Sequence, residues 1–87
     1  MATLHCQVLT PNGSAFDGEA AFVEAHAVDG RLGILPQHAP LLTALGQGPL
    51  RVKLPDGTEK KWTIDGGFLE VLENHVSVAA ERISEES

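Results

Sequence analysis

Leu50-Arg51-Val52-Lys53-Leu54-Pro55-Asp56-Gly57-Thr58-Glu59-Lys60-Lys61-Trp62-Thr63-Ile64 decides the class of fold. Leu50, Val52 and Leu54 share one side of an extended chain and Arg51 and Lys53 the other. After Pro55-Asp56-Gly57, Lys60, Trp62 and Ile64 alternate with Lys61 and Thr63. Successive side chains of a strand leave opposite faces, so apolar residues at period two mark half-buried strands, and a Pro-Asp-Gly turn between two such runs marks an antiparallel hairpin. Trp62 falls on the apolar side and is expected in the core rather than as a stacking platform.

The same period spreads in both directions. Downstream, Gly66-Gly67 bends the chain before Phe68 to Leu72, and Glu73-Asn74-His75 turns it into Val76-Ser77-Val78, a second hairpin. Upstream, Leu4, Cys6 and Val8 alternate with His5 and Gln7 until Thr10-Pro11-Asn12-Gly13 supplies a turn, and an extended stretch from Phe16 to Val28 closes at Asp29-Gly30. Leu32 to Leu35 and Leu41 to Leu45 flank Pro36-Gln37-His38-Ala39-Pro40, and Gly46-Gln47-Gly48-Pro49 ends the second run. The expectation is an all-β chain of about eight short strands with no substantial helix, an antiparallel sandwich or small barrel. Only the tail from Ala79 to Ser87 has room to begin a helix.

At 87 residues the chain is one small domain, and 43% hydrophobic with 21% charged residues is ordinary for a globular protein. No apolar run approaches the ~20 residues of a membrane span, and the N-terminus lacks the basic opening and apolar stretch of a secretory signal, so the chain reads as cytosolic. Six basic against twelve acidic residues give a net charge of −6, and Lys60-Lys61 is the largest basic cluster, which argues against nucleic acid as a partner.

Catalytic signatures are missing as well. Cys6 has no CxxC partner and is expected to pack in the core. His5, His26, His38 and His75 show no HxH or HExxH spacing, and neither a GxSxG elbow nor a phosphate-binding glycine loop occurs. No catalytic residue, metal, cofactor or small-molecule substrate is expected. His38, between Pro36 and Pro40, belongs to a stiff loop able to present a surface at low entropic cost.

Asp29-Gly30-Arg31-Leu32-Gly33-Ile34-Leu35-Pro36-Gln37-His38-Ala39-Pro40-Leu41-Leu42-Thr43-Ala44-Leu45 closely resembles the epsilon subunit family of F-type ATP synthases. Asp65-Gly66-Gly67-Phe68-Leu69-Glu70-Val71 is similar to that family's S-G-G-F-L-E-V strand, and Val8-Leu9-Thr10-Pro11 and Phe16-Asp17-Gly18-Glu19 fall in register. The resemblance covers about residues 4 to 81. It implies the family's N-terminal domain, a flattened ten-strand β-sandwich, over residues 1–81, followed by a short acidic tail over 82–87.

By this resemblance the chain is a non-catalytic rotor subunit of the central stalk, linking the gamma subunit to the membrane c-ring and coupling ion translocation to ATP synthesis. It would sit peripherally, within the F1 sector, on the cytoplasmic face of the bacterial inner membrane. Gamma-facing residues would be Thr10, His38, Ala39, Leu42 and Thr43. Ring-facing residues would be Arg31, Gly30 and Gln37, with Arg31 standing where the family often has an acidic residue. The family's helical hairpin beyond this domain, which can block ATP hydrolysis, has no counterpart here, so a naturally short subunit without that inhibition is expected. The readings from other classes are a biotinyl or lipoyl swinging-arm carrier, which needs a lysine at a hairpin tip, and a stand-alone β-sandwich binding module.

Overall fold

The structure, a computed structural model, describes residues 2–86; Met1 and Ser87, the outer limits of the domain and tail assigned above, lie outside the described residues. Seven strands follow one another: β1 (Leu4–Thr10), β2 (Gly13–Ala20), β3 (Phe22–Ala27), β4 (Gly30–Ile34), β5 (Leu41–Lys53), β6 (Glu59–Leu72) and β7 (His75–Glu86). They form one sheet in the order β2-β1-β7-β6-β5-β3-β4. Neighbours are antiparallel except β1 and β7, which pair in parallel from His5↔His75 to Leu9↔Ala79.

All-β organisation therefore stands, with no helix among the described residues, but seven strands replace the expected eight to ten. The expected strands Leu41–Leu45 and Leu50–Leu54 fuse into β5, because Gly46-Gln47-Gly48-Pro49 stays in the ladder, with Gln47↔Asp65, Gly48↔Ile64 and Pro49↔Thr63. Lys60 to Ile64 and Phe68 to Leu72 fuse likewise into β6, whereas the stretch from Phe16 to Val28 divides at Ala21 into β2 and β3. The tail is strand rather than helix: Arg82 pairs with Asp65, Ile83 with Ile64 and Ser84 with Thr63.

One face of the sheet folds over a single core. It holds Leu4, Cys6 and Val8 of β1, Ile34 of β4, Leu50 and Val52 of β5, Trp62, Ile64, Leu69 and Val71 of β6, and Val76 and Val78 of β7, all 3% exposed or less. In β5 the inward residues change from odd-numbered Leu45 to even-numbered Leu50 and Val52, and in β6 from even-numbered Trp62 and Ile64 to odd-numbered Leu69 and Val71. Both changes fall on one line across the sheet, through Gly46–Gly48 and Gly66-Gly67, and that line is the corner about which the sheet bends. Gly66 and Gly67 carry φ of 82° and 134°, which glycine adopts without steric cost. A side chain on Gly67 would collide with the Ala79 carbonyl, so two backbones meet there. Burial pushes the Cys6 thiol up to about 12, leaving it protonated and inert.

Candidate partner-binding surface

The outward face of β5, β6, β7, β1 and β2 can be read row by row from the register. One row runs Ala44, Phe68, Ala79, Leu9; the next runs Leu42, Glu70, Ser77, Gln7, Asp17; the third runs Leu72, His75, His5, Glu19. Leu42 is 69% exposed, Phe68 57%, Leu72 51% and Leu9 38%, so four large apolar side chains stand in water on neighbouring positions of a rigid sheet. Isolated exposed leucines are ordinary; a contiguous group ringed by polar residues marks an interface. Glu70 stands among them, between Phe68 and Leu72 and opposite Leu42, Asp17 and Glu19 lie at the β2 edge, and none of the six Lys and Arg residues falls in these rows.

The loop from Leu35 to Pro40 borders the patch at Leu42. Pro36 and Gln37 occupy its turn, closed by His38 N donating to Leu35 O at 3.2 Å, and Gln37 has φ of 68°. Positive φ after a proline is the type II pattern, normally a glycine position. Asn74, in the β6–β7 turn, supports this strained residue: Gln37 N donates to Asn74 Oδ1 at 2.9 Å, while Asn74 Nδ2 donates to Thr3 O at 2.8 Å. Its own carbonyl accepts from His5 N at 3.1 Å. Asn74 thus anchors the loop to the first strand.

The sequence-assigned residues divide accordingly. Leu42 is in the patch, and His38 and Ala39 are in the adjoining loop, with His38 Nδ1 2.7 Å from Ala39 O. Thr10 ends β1 one residue beyond Leu9, but its hydroxyl is engaged in the β1–β2 turn, donating to Gly13 O at 2.9 Å and accepting from Asn12 N at 3.0 Å. Thr43 lies on the inward side of β5 opposite Leu69, half-buried. Gly30 and Arg31 begin β4 at the tip of the β3–β4 hairpin, beside exposed Val28, whereas Gln37 follows the other end of β4 and lies in the loop with His38.

Sequence reasoning missed Phe68, Leu9, Leu72 and Asn74 as surface-defining residues. Phe68 had a signal: an odd-numbered core in β6 after Gly66-Gly67 forces it outward. A pairing that joins strands from both ends of the chain set Leu9 beside it, and nothing local foretells that pairing.

The opposite layer is built differently. Arg51 Nη1 donates to Glu24 Oε1 at 2.9 Å and Arg51 Nη2 to Glu59 Oε2 at 3.1 Å, and Arg31 Nη1 lies 3.7 Å from Glu24 Oε2. This ladder crosses β4, β3, β5 and β6, and the two flanking carboxylates, Glu59 first, hold the Arg51 pKa above its ordinary value. His26 packs over Gly48, whose missing side chain leaves room for the ring. The 50s hairpin tip is Pro55-Asp56-Gly57, where Asp56 Oδ1 accepts from Thr58 N at 3.0 Å and Thr58 Oγ1 at 2.7 Å. No lysine is presented there, since Lys60 and Lys61 lie inside β6. Among the described residues no group of three or more His, Cys, Asp or Glu side chains is arranged to hold a metal.

Residues 3–86 match the family described as ATP synthase, Delta/Epsilon chain, beta-sandwich domain. An ATP synthase epsilon chain of Exiguobacterium is 44% identical over 81 residues, covering 93% of this chain and 60% of the relative. That of Acinetobacter baylyi is also 44% identical over 81 residues, covering 93% and 58%. The chain thus spans about three fifths of the length of these curated relatives. Among solved structures, a chain of the Euglena gracilis mitochondrial ATP synthase (OSCP/F1/c-ring) superposes with TM-score 0.91 at 20% identity, over 98% of this chain and 54% of that one. A chain of the Tetrahymena thermophila mitochondrial ATP synthase central stalk and c-ring gives 0.77 at 16%, over 92% and 64%. At these identities the superpositions establish the fold.

Proposed function

The chain belongs to the ATP synthase delta/epsilon-chain family, by its β-sandwich domain, and on that premise we propose that it is a non-catalytic part of the central stalk that joins the gamma subunit to the c-ring. In this role it couples ion translocation to ATP synthesis as a mechanical link, and no residue of the chain performs chemistry. Its place is peripheral, within the F1 sector on the cytoplasmic face of the bacterial membrane.

The observation that carries this reading is the exposed apolar patch of Leu9, Leu42, Phe68 and Leu72 on a face whose rows hold no Lys or Arg. A rotor joint must resist shear, and a flat, rigid sheet face with large apolar anchors meets that demand better than mobile loops do. Gamma would cover the patch, the His38-Ala39 loop and the Thr10 turn, burying on the order of 1,600 Å² in total. Thr43 contributes from beneath by shaping β5. Gly30 and Arg31, at the β3–β4 tip, face the ring loops, and Gln37 steadies the loop between the two contacts. Arg31 shares the Glu24 carboxylate with Arg51, so a neutral or acidic ring loop suits it best.

Titrating the chain into the gamma subunit from the same source, followed by calorimetry and size-exclusion chromatography, tests the reading. A one-to-one complex of about micromolar affinity or tighter, lost with Leu42→Asp, is the expected result. Absence of binding by the folded chain would overturn it.

A further inference from the structure

We propose that His5, gripped between two carboxylates of the outermost strand, is a proton-operated clamp that fastens β2 to the sheet as an imidazolium and loosens it as a neutral ring. The clamp is a property of the isolated chain and stands apart from the partner assignment.

The geometry is specific about the protonation state. His5 Nε2 lies 2.6 Å from Asp17 Oδ1 and Nδ1 lies 3.3 Å from Glu19 Oε2. A neutral imidazole has one N–H and one lone pair, so it can satisfy only one of these carboxylates and must point its lone pair at the other. Only the imidazolium donates from both nitrogens. From β7 the His75 ring stands 4.7 Å away, tilted by 48°, and Glu70 and Glu73 share a shallow cavity of about 280 Å³ with it. Carboxylates therefore dominate the surroundings and favour a cation. Hydrogen bonds from His5 to Asp17 and then Glu19 hold its pKa above the ordinary 6.5. The Thr3 hydroxyl, donating to Glu19 Oε1 at 2.7 Å, and then His5 hold the Glu19 pKa below its ordinary value.

β2 is where such a clamp has leverage. It is an edge strand paired only with β1, and its ladder is interrupted by a register shift at Val8/Leu9. Its inward side carries buried Ala20 and half-buried Phe16, whose ring lies 6.1 Å from that of buried Trp62. Without the proton, Asp17 and Glu19 repel each other on this strand, and its opening uncovers Trp62.

The sign follows from linkage. A base that binds its proton more tightly in the folded state contributes fully below its unfolded pKa, and the contribution is lost as pH rises through the raised folded value. Imidazole nitrogen NMR of the chain between about pH 5 and 9 should show His5 titrating above 6.5. Over the same window the hydrogen-exchange protection of Asp17 to Ala20, corrected for intrinsic rate, should fall by up to about tenfold per pH unit, and Trp62 emission should follow. His5→Gln should give low, pH-independent protection, and Asp17→Asn with Glu19→Gln should return the His5 titration to the ordinary range. A His5 titration at or below 6.5, protection of β2 that ignores it, or pH dependence that survives in His5→Gln would each overturn the clamp.

Discussion

Asn74 shows how one small residue can tie its own turn to two other segments of chain at once. Its side chain serves Gln37 and Thr3, and its carbonyl serves His5. It also has φ of 63° and follows Glu73 at 51°, the paired positive values of a tight hairpin turn, a conformation asparagine tolerates better than other residues with a β-carbon. Asn74→Ala removes both side-chain bonds and leaves Gln37 N without its acceptor. The expected loss is about 1–3 kcal/mol of stability in urea unfolding. The backbone resonances of Gln37 to Ala39 should broaden or shift as the loop loses its anchor.

At the level of elements, the fold turns on the corner where β5 and β6 exchange the side they present to the core. Gly67→Ala sets a β-carbon against the Ala79 carbonyl at a φ of 134°, and neither backbone can retreat without breaking the β6–β7 ladder. A loss of more than about 3 kcal/mol is expected in denaturant unfolding, against a few tenths for the exposed control Lys60→Ala. The same corner explains what could be read in advance. Period two was plain in almost every segment but the tail, so the class and the burial of Cys6 and Trp62 were legible. Gly-Gln-Gly-Pro and Asp-Gly-Gly looked like ends because glycine and proline end most strands, yet here they bend strands that continue. The parallel β1–β7 pairing left no local trace, since it depends on register between residues about 70 apart in sequence. The stiff His38 loop was legible from Pro36 and Pro40, and Leu42 through the family resemblance, whereas Phe68 and Leu9 emerge only once the corner and that pairing are known.

Over the whole molecule, the two outward faces differ in character. One outward face joins leucines and a phenylalanine with carboxylates, and the other carries the Arg31, Glu24, Arg51 and Glu59 ladder. A partner for the first face should bring an apolar ridge flanked by Lys or Arg, and its on-rate should fall with salt. Phe68→Asp and Leu42→Asp should abolish binding while changing the stability of the isolated chain by no more than about 0.5 kcal/mol, because both side chains already stand in water. A calorimetric titration beside a urea curve checks both halves. The strand order carries a further consequence, for how the molecule is made. β7, the last of the seven strands to be synthesised, lies between β1 and β6, in the interior of the sheet. During translation the β1–β2 hairpin and the β3–β6 array have no direct ladder between them, and two half-sheets with open edges must wait until the ribosome delivers the strand that bridges them. A nascent chain stalled before His75 should therefore remain fully protease-sensitive, and resistance should appear in one step once β7 has emerged.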